Sequence, residues 1–118
     1  MKILIVEDEI LIQKSLIKLL TKKGCDVHGT VAGKEAIKLI KSNNYDRIIC
    51  DLMLQDISGF DVIEESKNIY SLTEIQEKFI IITAYSSPQV LEKASAYGCK
   101  VLNKPFESMI EAIRIFLK

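Results

Sequence analysis

Lys2-Ile3-Leu4-Ile5-Val6-Glu7-Asp8 is an apolar run that stops abruptly at two carboxylates. Three later runs stop in a comparable way. Ile48-Ile49-Cys50 ends in Asp51, Ile80-Ile81-Ile82 ends in Thr83, and Val101-Leu102-Asn103 ends in Lys104. Short uninterrupted apolar runs suit strands buried on both faces of a parallel sheet. Helical patterns lie between the strands, and this alternation predicts an α/β fold with helices on both sides of the sheet. Parallel strands would bring Glu7, Asp8, Asp51, Thr83 and Lys104 to one carboxyl rim, where open α/β sheets hold their ligands.

Working outward, the spacing of Ile12, Leu16, Leu19 and Leu20 predicts a helix from about Glu9 to Lys23, stopped by Gly24. Residues 26–31 read as the second strand, and 34–42 as a helix with Ala36, Ile37 and Ile40 inward. The third strand is 47–51. A third helix runs from Gly59 to about Ile69, with Phe60, Ile63 and Val62 as its core face. Tyr70 to Lys78 is a polar connection that either extends this helix or forms a loop. Residues 79–83 give the fourth strand. Ser86-Ser87-Pro88 starts the next helix, which Gly98 closes. Residues 100–103 form the fifth strand, and 106–118 the last helix, with Met109, Ile110, Ile113 and Phe116 or Leu117 apolar.

A length of 118 residues fits one domain able to bury a core without staples. Lys plus Arg number 16, as do Asp plus Glu, so no global basic surface points to nucleic-acid binding. No apolar stretch approaches the roughly 20 residues that cross a bilayer. The N-terminal run is too short for a signal peptide, so the expectation is a cytoplasmic protein that does not engage a membrane. Cys25, Cys50 and Cys99 form no CxxC pair, which argues against a zinc site or disulfide framework. His28, the one histidine, has no second ligand nearby and suits a structural or surface role.

The rim residues suit phosphoryl transfer. Asp51 is the candidate nucleophile, since a carboxylate attacking phosphorus gives an acyl phosphate. Two negative groups must then approach each other. A magnesium ion bridging oxygens answers that repulsion, and Asp8 and Glu7 are placed to share it with Asp51. Lys104 can neutralise a phosphate oxygen as a point charge, and the Thr83 hydroxyl can donate to another.

Together, Ile5-Val6-Glu7-Asp8-Glu9, Asp51-Leu52-Met53-Leu54, Asp56-Ile57-Ser58-Gly59, Thr83-Ala84 and Lys104-Pro105-Phe106 resemble the receiver domain of two-component response regulators, over nearly the whole chain. The resemblance implies a flavodoxin-like five-stranded parallel sheet in the order 2-1-3-4-5, flanked by five helices. It implies that Asp51 accepts a phosphoryl group from a sensor histidine kinase or a histidine phosphotransfer protein. Magnesium would be held by Glu7, Asp8, Asp51 and the backbone carbonyl of Met53. Thr83 and Lys104 would grip the phosphate, and the Lys104–Pro105 bond would be cis. The domain would be a switch that changes partner binding, with only weak self-phosphorylation and self-dephosphorylation. It stands alone or forms part of a longer transcriptional regulator or hybrid kinase, and its downstream effector is not legible.

Three features depart from the family pattern. Gln55 replaces a common proline, which predicts a less rigid loop after Asp51. Val101 replaces a common aromatic switch, so movement of Thr83 and the loop 84–87 is expected to carry the signal. The connection before Phe79 is long. Met53 and Tyr85, two beyond Asp51 and Thr83, flank the path of an attacking water and are expected to slow phosphate loss. Ile10 and Ile17 lie off the stripe of the first helix and could dock a phosphodonor. Two other α/β readings fit less well. An aspartate-nucleophile phosphatase expects an acid at Met53, and a flavin phosphate would be repelled by Glu7-Asp8-Glu9.

Overall fold

The computed structural model describes residues 1–118. Its element order is β1 (Lys2–Val6), α1 (Ile10–Lys22), β2 (Asp26–Thr30), α2 (Gly33–Ser42), β3 (Arg47–Asp51), α3 (Gly59–Ser66), α4 (Leu72–Lys78), β4 (Phe79–Thr83), α5 (Pro88–Tyr97), β5 (Lys100–Asn103) and α6 (Met109–Phe116). The five strands form one parallel sheet in the order β2-β1-β3-β4-β5.

Alternation along the central strands divides the core into two layers. Leu4, Val6, Ile48, Cys50, Phe79 and Ile81 pack with Ala36 and Ile40 of α2, Phe60 and Ile63 of α3, Ile75 of α4 and Ala94 of α5. Ile3, Ile5, Ile49, Ile80 and Ile82 face the other way, against Leu16 and Leu20 of α1 and Ala112, Ile113 and Phe116 of α6. Both faces of β1, β3 and β4 are therefore dry, which is why those strands read as continuous apolar runs. β2 lies at an edge and is only partly buried.

The helix count differs from expectation, with six rather than five. The connection before β4 contains its own helix, α4, begun by a reciprocal cap in which Ser71 accepts from the Glu74 N–H and Glu74 accepts from the Ser71 N–H. Accordingly α3 ends at Ser66 rather than near Ile69. The last helix begins at Met109 behind a Ser108 cap, not at Phe106. Ile110, apolar in pattern, is 82% exposed. α5 starts and stops as expected, with the Ser87 hydroxyl capping Val90 and Gly98 in the left-handed region at φ 73°.

Ile17 is not free on the surface. It is partly buried beside β2, where a β-carbon on Gly29 would lie 2.8 Å from its Cδ1. Ile10 is exposed as expected, and so is its neighbour Leu11. A His28 ring nitrogen is 2.7 Å from the Tyr45 hydroxyl, a structural contact. The three cysteines are free, and burial pushes the Cys99 thiol up to about 11.

Candidate functional site: an acidic pocket at the carboxyl rim

Each rim residue is delivered by the end of a strand. Glu7 follows β1, Asp51 ends β3, Thr83 ends β4 and Lys104 follows β5. All four are buried, with Glu7 at 0% and Asp51 at 2% exposure. Lys104 N–H donates to the Thr83 carbonyl at 2.8 Å, and the Lys104–Pro105 peptide is cis.

The Lys104 ammonium is the pocket's cation. Its Nζ donates to Asp51 Oδ2 at 2.7 Å, Glu7 Oε1 at 2.8 Å and Glu9 Oε1 at 3.1 Å. Burial alone would lower its pKa, but the hydrogen bonds to Asp51, Glu7 and Glu9 prevail and raise it. Glu7 behaves differently. Burial pushes its carboxyl up to about 7, against the opposing bonds from Lys104 and the Glu9 N–H, and the nearby Asp51 charge adds to the rise. One ammonium faces three carboxylates here, those of Asp51, Glu7 and Glu9.

Carboxylate oxygens of Glu7, Asp8 and Asp51 lie within 4.8 Å of one another. Three hard oxygen donors carrying excess negative charge suit a hard divalent cation. The donor set fits magnesium.

Two backbone features fix this arrangement. The Met53 N–H donates to Asp51 Oδ1 at 3.0 Å, orienting the carboxylate from its own strand end. Gly59, at the start of α3, passes so close that an added β-carbon would sit 2.4 Å from the Asp51 carbonyl oxygen. Only a residue without a side chain fits there.

The loop after Asp51 is tethered, despite Gln55 in place of proline. The Asp56 carboxylate accepts from the Gly33 N–H and the Lys34 N–H, both at 2.9 Å, capping α2 across the chain. The N-cap residue Ala32 offers no side-chain bond of its own. The capping role of Asp56 is not legible in its motif alone; its signal is an acid in a loop facing a helix start without a polar cap. Nor does strand-end spacing show Glu9 as a partner of Lys104. The Thr83 hydroxyl donates to the Tyr85 carbonyl and accepts from the Tyr85 N–H, both at 3.0 Å. The Met53 and Tyr85 side chains are both exposed beside the rim.

Residues 3–114 match the response regulator receiver domain family, so the chain belongs to that family and is a receiver domain of two-component signalling. It is similar to the cell cycle response regulator CtrA of Brucella ovis, at 28% identity over 90% of this chain and 44% of that protein. The probable transcriptional regulator ycf29 of Pyropia yezoensis matches at 28% over 90% of this chain and 47% of its own length. The chain thus spans less than half the length of these relatives. Among solved structures, the receiver domain of the Francisella response regulator 1452 superposes with a TM-score of 0.83 at 28% identity, covering 98% and 93% of the two chains. The response regulator TrrA of Thermotoga maritima, solved in complex with Mg(2+)-BeF, superposes with a TM-score of 0.76 at 29% identity, covering 97% and 95%.

Proposed function

We propose that residues 1–118 form one phosphoacceptor domain, in which Asp51 takes a phosphoryl group from a histidine on a sensor kinase or phosphotransfer protein. An Asp51 carboxylate oxygen forms a bond to phosphorus while the bond from phosphorus to the donor's imidazole nitrogen breaks. The electron pair goes to that nitrogen and the imidazole leaves. What supports this reading most is the Lys104 ammonium bonded to both Asp51 and Glu7 beside Asp8.

Glu7, Asp8, Asp51 and the Met53 backbone carbonyl would hold magnesium, which supplies charge neutralisation between the carboxylate and the incoming phosphoryl group. TrrA, captured with Mg(2+)-BeF, is a relative consistent with that assignment. Lys104 neutralises one phosphoryl oxygen, and Thr83 donates its hydroxyl to another. To do so Thr83 must give up its bond to the Tyr85 carbonyl, so phosphorylation pulls on the loop 84–87. With Val101 in place of an aromatic, this exchange is the change that a partner reads. The domain acts as a relay and binding switch, and it turns over its own phosphate only weakly.

Incubation with magnesium and acetyl phosphate, followed by intact mass measurement, tests the reading. One phosphoryl adduct is expected on the wild type and none on Asp51→Ala. An adduct that persists in Asp51→Ala overturns it.

A further inference from the structure

Glu9 is bound to the pocket in a way that the phosphoryl chemistry does not require. Its side chain reaches Lys104 Nζ at 3.1 Å while 60% exposed, whereas the other two partners, Glu7 and Asp51, are buried. Its N–H donates to Glu7 Oε2 at 3.2 Å. Glu9 is also the N-cap residue of α1, where a side-chain oxygen ordinarily accepts from the first turn. It makes no such bond, and α1 has no acid in its first turn. By contrast α3, α4, α5 and α6 all begin with a serine that does cap. The acid at the N-cap of α1 is turned toward Lys104 instead of toward the helix's free N–H groups.

An ammonium has three N–H donors, and here each has a carboxylate partner. None is left for a phosphoryl oxygen. Glu7 is fixed by burial, and Asp51 is the group that reacts. Glu9, on a solvent-facing side chain, is the partner that can withdraw at small cost.

We propose that Glu9 is a resting-state latch, which holds Lys104 until the phosphoryl group arrives and must release it before Lys104 can grip that group. It is a positioning residue acting through Lys104, and it rests on the phosphoacceptor reading of Asp51. Its charge opposes phosphorylation a second way. With Glu7, Asp8 and Asp51 it adds a further negative group to a rim with one neutralising ammonium, and so repels an anionic donor.

Glu9→Gln and Glu9→Ala test the latch, with acetyl phosphate as donor at saturating magnesium and intact mass as readout. In that reaction the bond from phosphorus to the acetyl oxygen breaks, acetate leaves with the electron pair, and Asp51 gains the phosphoryl group. Both variants are expected to be phosphorylated about two- to fivefold faster than wild type, the range that an exposed ion pair is worth. Their rates of phosphate loss should match wild type, because Glu9 is disengaged once Asp51 is phosphorylated, and their melting temperatures should fall by no more than the loss of one exposed ion pair entails. Uptake no faster than wild type overturns the latch, as does faster uptake accompanied by equally faster loss, the mark of a loosened pocket. If the wild type accepts nothing, the phosphoacceptor reading falls and takes the latch with it. If the wild type accepts and both variants merely match it, the latch alone falls.

Discussion

Lys104 Nζ lies 2.7 Å from Asp51 Oδ2 and 2.8 Å from Glu7 Oε1, so one buried ammonium serves two buried carboxylates that arrive on different strands. Removing the shared cation leaves two buried carboxylates with backbone N–H partners but no neutralising charge. Breaking such a pair costs about 3 kcal/mol or more. Lys104→Met should therefore be less stable by about that amount in urea denaturation without divalent cations, and added magnesium should restore part of the loss. A Lys104→Met domain as stable as wild type would show that the pair contributes nothing.

Magnesium should stabilise the wild type by mass action, by about 2.7 kcal/mol when present at a hundred times its dissociation constant. Asp8 is the least buried of the three clustered acids and has no cation of its own in the pocket. Asp8→Ala should abolish most of the magnesium-dependent rise in melting temperature while folding normally without metal. An undiminished rise would remove Asp8 from the ligand set.

Asp56 gives a pH signature. The Lys34 N–H and the Gly33 N–H hold its carboxyl below the usual range. A carboxyl depressed in the folded state adds stability above its unfolded pKa, about 3.9, and loses it as pH falls through the folded value. Asp56→Ala should cost about 0.5–1 kcal/mol at neutral pH, the worth of an exposed helix cap. The difference from wild type should shrink below about pH 4, as measured by thermal melts across pH. A gap that stays constant into acid would mean that the carboxylate charge plays no part.

Met53 and Tyr85 both stand exposed at the rim, with Met53 at 58%. An apolar side chain there cannot orient an attacking water. Met53→Asn introduces one polar group able to do so. Phosphate loss should accelerate about tenfold if a single hydrogen bond worth about 1.4 kcal/mol is gained in the transition state. The half-life of the adduct after acetyl phosphate is removed measures it, and an unchanged half-life would exclude the effect.

The strands were legible because three of them are buried on both faces. Lys2–Val6, Arg47–Asp51 and Phe79–Thr83 fall where their sequence patterns end, and the sheet order follows the resemblance. α4 is hard to read although Ser71 and Glu74 spell its cap, because seven residues with one buried side chain, Ile75, show no period. The helical stripe places Ile17 on the surface, since it does not show that Gly29 opposite lacks a side chain. In the pocket, strand-end logic located Glu7, Asp51, Thr83 and Lys104. It could not find Glu9 or Asp56, whose partners lie 95 and 22 to 23 residues away and depend on how loops fold back.

If these rim residues build one phosphoryl site, its covalent bond forms at residue 51. Borohydride reduces an aspartyl phosphate to homoserine, so treatment after acetyl phosphate and magnesium, followed by peptide mass mapping, reads the bond's position directly. Homoserine is expected at position 51, dependent on magnesium and lost in Lys104→Met. Homoserine at Asp8 or Asp56, or none anywhere in a folded wild type, would contradict it.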